Sequence, residues 1–317
     1  MSRGSLMPGA HNSPAGGGAE PARSAAPQAP SGSAAVLERE GLPRPFAPGR
    51  TIWTVHRELA LLVGAGRALL LQLAHPLVAA GVAEHSGFAQ DPFGRLFRTL
   101  DPMYTLVFGH PEAAAAAAAR MRATHARVRG VLREAVGAFP AGTPYEATDP
   151  ELRLWVHATL IDTTLLVYER FVAPLSAVEQ ARYYADSREL ARVLGVPEAL
   201  MPPTLPAFQS YVSRMLASDT LAVGPTTRTL ARLVFRPPAA LSLRAIGPLV
   251  EFVTVGLLPG RLREIYGYRW SPGRERLLEV AAGLVRRVLP ALPVWIRIVP
   301  HARAAERHLP TLTPLTP

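Results

Sequence analysis

Three of the nine histidines, His75, His125 and His157, fall on apolar stretches that read as helix faces. An imidazole in such a place needs a hydrogen-bond partner or a metal, because an unpaired buried polar group costs about 1–3 kcal/mol. Either the three are satisfied core residues or some of them hold a buried cofactor. A second concentration of chemistry follows at Glu84-His85-Ser86, just before a Gly/Pro turn, and at Arg95, Arg98 and Thr99. Arg95 and Arg98 are one helical turn apart and project from the same side. Two guanidiniums so placed can bind the carboxylates of a cofactor or an anionic substrate, or they form a solvated face.

Other chemistries fail on spacing. There is no Glu-x-x-His pair of the di-iron bundles, no His-Glu-x-x-His and no Gly-x-Ser-x-Gly. Gly64-Ala-Gly66 lacks a third glycine and a preceding strand, so it is not a dinucleotide fingerprint. With no cysteine, disulfides, zinc ribbons, iron–sulfur clusters and a thiolate-ligated haem are excluded.

The elements that must position these residues read as helices. With 317 residues and 49% hydrophobic content, the chain can bury one large core. Residues 1–48 are rich in Ala, Gly, Pro and Ser and predict disorder; residues 49–301 form one helical domain, and 302–317 a loose tail. Pro76 breaks or kinks the Leu/Ala-rich run Ile52–Leu73 from a helix over Leu77–His85. A short helix covers Phe93–Thr99. Pro111 opens a helix running to about Val136, in which Ala114, Ala118, Met121, His125, Val128, Leu132 and Val136 form one apolar stripe. The alanines at 113–119 allow close approach of a flat group, or only of another helix. Thr148 to Glu151 has capping-box spacing at the start of a helix reaching Val172, apolar nearly all round and carrying His157, Thr159, Asp162 and Thr163. Further helices fit 176–195, 205–216, 226–235, 243–257 and 273–288. No strand pattern stands out, so the fold class is all-α.

The net charge of +10 suggests nucleic acid or an anionic membrane. All 34 basic residues are arginines spread along the chain, with no basic stretch interleaved with aromatics, so no nucleic-acid partner is expected. No signal-peptide pattern opens the sequence, and a cytoplasmic location is the expectation. The apolar run Leu59–Ala83 is long enough for a membrane span, but Arg67, Gln72, His75 and Pro76 interrupt it. It reads as a buried helical hairpin or kinked helix, not a transmembrane anchor.

Taken in order, Gly66-Arg67-x4-Gln72, Ala74-His75-Pro76, Gly81-Val-Ala-Glu84-His85-Ser86, Arg95-x-x-Arg98-Thr99, His125-Ala-Arg-Val-Arg129, Asp149-Pro150 and Trp155-Val-His157-Ala-Thr159 resemble a bacterial family. It is the group of the rubber oxygenase (latex clearing protein) and the mycophenolic-acid-pathway oxygenase catalytic domain. The resemblance covers roughly Ile52 to Arg297. It implies a globin-like helical fold holding haem b, with His125 as the iron ligand and His157 as a second pocket histidine. It places Arg95, Arg98 and Thr99 on the distal side, where the guanidiniums would hold propionates or polarise dioxygen and Thr99 would donate a hydrogen bond. Glu84 or His85 would be the acid–base group. Arg98 stands where the family has a lysine, and a guanidinium does not deprotonate to cap an iron. The implied reaction uses dioxygen on a small hydrophobic, isoprenoid- or lipid-like substrate. A haem-binding sensor or carrier without turnover, and a cofactor-free helical interaction protein, are the other readings.

Overall fold

The computed structural model describes residues 48–87, 92–235 and 246–307. The expected disordered segment 1–48 falls almost wholly outside the described residues; of the expected loose tail 302–317 only 302–307 are described, and these are helical. The fold of the described residues is all-α, apart from one short hairpin. The chain begins with α1 (Thr51–His56), a 3-10 segment (Leu59–Gly64), α2 (Ala65–Leu73) and α3 (Pro76–His85). α4 (Pro92–Phe108) and α5 (Pro111–His125) precede the antiparallel strands β1 (Arg129–Val131) and β2 (Pro144–Glu146). Then come α6 (Pro150–Phe171), α7 (Ala177–Val193), α8 (Leu205–Ala217), α9 (Pro225–Phe235), α10 (Gly247–Leu257) and α11 (Gly260–Tyr266). α12 (Pro272–Val288), α13 (Val294–Arg297) and α14 (Pro300–Arg307) complete the order.

α6 is the axis of the molecule, as its all-round apolarity predicts. Its Ala158 and Ile161 pack with Ile52, Ala117, Tyr183 and Phe208 in one core cluster. On another side its Trp155 packs with Leu70, Leu71, Leu230 and Leu262. Asp149 caps its N-terminus, accepting from the backbone N–H groups of Glu151 (2.8 Å) and Leu152 (3.1 Å). The expected cap at Thr148 is thus one residue early, because Pro150 takes the first helical position and the cap must precede it. The reciprocal capping box belongs to α7, between Ser176 and Glu179.

The apolar run 59–85 is bent by 110° at the break between α2 and α3. Pro76 has no N–H to continue α2, so the last carbonyls of that helix must find other donors. Trp155 donates to the Leu71 carbonyl (3.2 Å), Thr227 to Leu73 (3.1 Å) and the Ala222 N–H to Ala74 (2.8 Å), while Leu70, which keeps its helical donor Ala74, takes a second bond from Tyr266 (2.7 Å). The kinked-helix expectation holds. Among the described residues no single helix is long and apolar enough to cross a membrane, although this bent pair passes by length and composition.

Gly66 shows how closely α2 lies on α10. A Cβ at Gly66 would meet all three side-chain heavy atoms of Thr254, with Cγ2 at 3.0 Å and Cβ at 3.2 Å. Thr254 is buried and its Cβ is fixed to the backbone, so no rotamer change clears the clash. Gly66→Ala gains about 1 kcal/mol of helix propensity and loses about 1–3 kcal/mol to overpacking. A net fall in the midpoint of thermal unfolding is expected; an unchanged or raised midpoint would show that the helices separate freely.

Three local expectations are corrected. The helix expected over 111–136 stops at His125, and the chain turns into a hairpin where no strand was expected. Gly130 sits in β1 because Tyr145 lies over it: a Cβ there would stand 2.5 Å from the phenol oxygen. The helix expected over 93–99 runs on to Phe108 through Pro102. The run 52–73 is three pieces rather than one.

Candidate functional site

The C-terminal end of α3 and the hairpin form the wall of a cleft of about 600 Å³, lined by Ala79, Ala83, Glu84, His85, Arg133 and Thr226 among others. Glu84 is held from two sides. The Tyr145 hydroxyl donates to its Oε2 (2.5 Å) and Arg133 Nε donates to its Oε1 (2.6 Å). The Tyr145 bond, with Arg133, keeps this carboxyl below its usual range, against the opposing effect of desolvation. Burial, reinforced by Glu84, pushes the Tyr145 phenol up. Glu84 is therefore an ionised acceptor, with one hydrogen bond on each oxygen and a lone pair left on each. His85 is exposed, with its ring 6.3 Å from that of Tyr145. Glu134 closes the cleft by accepting from the N–H (3.2 Å) and hydroxyl (3.1 Å) of Thr226 in the first turn of α9.

Arg95, Arg98 and Thr99 stand together on α4, as their spacing predicts. Arg95 is half-buried, and burial followed by the neighbouring Arg98 lowers its pKa. Arg98 and Thr99 are exposed. The Thr99 hydroxyl donates to the Arg95 carbonyl of its own helix (2.9 Å), so only its lone pairs remain for another group.

The three histidines lie in different settings. His125 is the last residue of α5, half-buried rather than central on a long stripe. Burial, then the nearby Arg153, lowers its pKa below 6.5, so its ring is neutral at pH 7. Neither ring nitrogen makes a hydrogen bond to a described residue. The buried alanines of α5, Ala114, Ala117 and Ala118, pack against the core, which explains them as close helix contacts.

His157 is sealed inside α6. Its Nε2 lies 2.9 Å from the Ser187 carbonyl, while its buried Nδ1 has no partner. Burial lowers its pKa to about 4. Close by, His56 Nε2 lies 3.0 Å from the Tyr183 hydroxyl, and burial with the neighbouring His157 lowers the His56 pKa to about 4. His75 is the N-cap residue of α3; its Nδ1 is buried without a partner and its ring is 5.3 Å from Phe139.

No group of three His, Asp or Glu side chains that could hold a metal ion by themselves occurs among the described residues. A haem iron needs only an axial nitrogen. His125 fits that need: it is neutral, half-buried at a helix end, and its ring nitrogens make no hydrogen bond to a described residue. His157 has a free nitrogen too, but the core closes over it.

Sequence reasoning located Glu84 and His85 but missed Tyr145, Arg133 and Glu134, which give Glu84 its state and the cleft its rim. Gly130 was the available signal. A glycine in the middle of an expected helix marks a break, and the break brings Tyr145 to Glu84.

The profile of the family described as ER-bound oxygenase mpaB/B′/rubber oxygenase, catalytic domain, matches residues 53–287. The chain belongs to this family. Its members are oxygenase catalytic domains, which puts the chain among oxidoreductases that use dioxygen. Uncharacterised proteins of Mycobacterium bovis and Mycobacterium tuberculosis are each 29% identical to it over 242 residues, covering 74% of this chain and 88% of theirs. No solved structure matches. The family motif at Gly66, Arg67 and Gln72 is now explained by packing: Gln72 donates to the Thr159 hydroxyl (3.1 Å), and Arg67 is buried between α6 and α10.

Proposed function

We propose that this oxygenase-family chain binds haem b through His125 and acts with dioxygen on a hydrophobic, isoprenoid- or lipid-like small molecule. The observation that carries the reading is the His125 imidazole: neutral at pH 7, at the end of α5, and with no hydrogen bond to the described residues. Haem, when bound, supplies a redox-active iron at which dioxygen is activated. The chain's own residues then have separate tasks. His125 offers a ring nitrogen, and the lowered pKa keeps a proton from competing for it. Arg95 and Arg98 offer two guanidiniums on one helix side for propionates. His85 stands exposed at the cleft, where its imidazole can reach a bound molecule. Glu84 accepts from the Tyr145 hydroxyl, and its lowered pKa makes it a weak base.

The clamp on Glu84 favours a second reading, a haem-binding carrier or sensor without turnover, because a base already engaged twice is poorly placed to act. Absorbance and oxygen uptake separate the readings. Protein expressed with ample haem should show a Soret band, and His125→Ala should lose it or shift it strongly. A variant that keeps both haem and spectrum removes His125 as the ligand. Absence of a Soret band in the parent protein favours the cofactor-free reading. Oxygen uptake with a panel of polyprenyl compounds marks turnover; haem with a flat trace across the panel marks a carrier.

A further inference from the structure

The longest uncovered apolar face of the described residues lies on α12. Leu277, Val280, Leu284 and Val288 follow one another at three- and four-residue spacing and are 59%, 70%, 60% and 47% exposed. The core takes the other side of the helix, through Leu278 and Ala282. After the turn Leu289–Ala291 the chain exposes more apolar surface on α13, with Val294 and Trp295 at 58% and 67%. Folded chains seldom leave such a row uncovered without a use for it.

The charges beside the row narrow that use. Arg276 and Arg287 are eleven residues apart, so they fall on nearly the same line along the helix and share one edge of the stripe. Both are exposed, and neither makes a hydrogen bond or ion pair with a described residue. Arg286 is exposed as well, and Glu279 is the one exposed acid of α12. An apolar stripe edged by arginines, with an exposed tryptophan close by, is the pattern of a helix lying in a membrane interface.

We propose that the exposed face of α12, continued by α13, docks on a lipid bilayer surface bearing anionic phosphate headgroups. Leu277, Val280, Leu284 and Val288 enter the acyl boundary, Arg276 and Arg287 meet phosphates, and Trp295 sits at headgroup depth. A second copy of the chain fits less well. It brings arginines against arginines with too few acids to answer them, in a molecule whose net charge is already +10. The surface is independent of the haem reading.

Flotation of the full chain with phosphatidylcholine vesicles, with and without phosphatidylglycerol, tests this. Binding to the anionic vesicles, weakening as salt rises, is expected. Leu277→Glu with Leu284→Glu should lower binding by tenfold or more, and Arg276→Glu with Arg287→Glu by about tenfold. Brominated acyl chains should quench parent fluorescence more than that of Trp295→Phe. The proposal is overturned if the parent does not float, or if parent and both variants float equally. It is also overturned if sedimentation shows a dimer that Leu277→Glu with Leu284→Glu splits, since a second copy then covers the face. A marked fall in the urea midpoint of that variant overturns it too, by showing that the chain's own residues cover the stripe.

Discussion

Replacing Arg67 with alanine will lower the stability of this protein by about 3 kcal/mol, the low end of what removing one partner of a buried ion pair costs. Arg67 is among the few charged residues that the fold buries. Its Nη2 donates to Asp162 Oδ2 (2.6 Å), its Nη1 to the Thr163 hydroxyl (2.5 Å) and its Nε to the Leu257 carbonyl (2.8 Å). One planar group thus joins α2 to the middle of α6 and the end of α10. Truncation leaves the Thr163 hydroxyl and the Leu257 carbonyl without this donor, hands the partly exposed Asp162 carboxylate to water, and leaves a hole where the guanidinium lay. Arg67→Lys keeps the charge but cannot fill three positions with a fork, so most of the loss should persist. Removing Asp162 as well should restore part of it, because no carboxylate is then left without its guanidinium. Urea unfolding of the two single variants and the double variant measures this; strictly additive losses would mean that Arg67 and Asp162 do not act as a pair.

Acid should weaken the fold well before the carboxylates titrate. His56, His75 and His157 are each lowered from 6.5 to about 4, with burial the leading cause. Between those values the unfolded chain binds protons that the folded chain refuses. Stability therefore rises with pH across that window; the contribution is present in full above about 6.5 and falls away towards 4. From pH 7 to pH 5 this amounts to roughly 2 kcal/mol per histidine, and about 6 kcal/mol for the three together. Glu84, held below its usual 4.5, adds its own loss only at lower pH. Unfolding midpoints at pH 7, 6 and 5 should drop steadily, and His75→Leu should remove about a third of the slope. A flat profile over this range would mean that the three rings are protonated in the folded state or reach water.

Much of the scaffold was legible because its signals are local. The apolarity of α6 on every side announced a central helix, and Pro76 announced the bend. The proline at the start of α5 and the acid beside it marked that helix correctly. What failed was the far end of the same helix. Val128, Leu132 and Val136 continue the three- and four-residue rhythm by coincidence, and the hairpin that overrides it depends on Tyr145 and Glu84, distant in sequence. The candidate site was half legible for the same reason. Residue types and order picked out Glu84, His85, Arg95, Arg98 and His125, whereas the states of those groups come from neighbours that no spacing rule connects. His157 reads the same either way: buried in sequence pattern and buried in the fold.

The sharp turn at His75 and Pro76 bears on synthesis as well as on architecture. The stretch around it is a long apolar run, and as one straight rod it would match the thickness of a bilayer core. Each arm alone is too short to do so, with α2 at nine residues and α3 at ten. Two carbonyls freed by the bend, those of Leu71 and Leu73, take their donors from Trp155 and Thr227, both made later on the ribosome. Those bonds form only once more than half of the polypeptide has emerged, and until then water holds the two carbonyls. This fold is completed late, and its first helices are where a nascent chain would most need shelter.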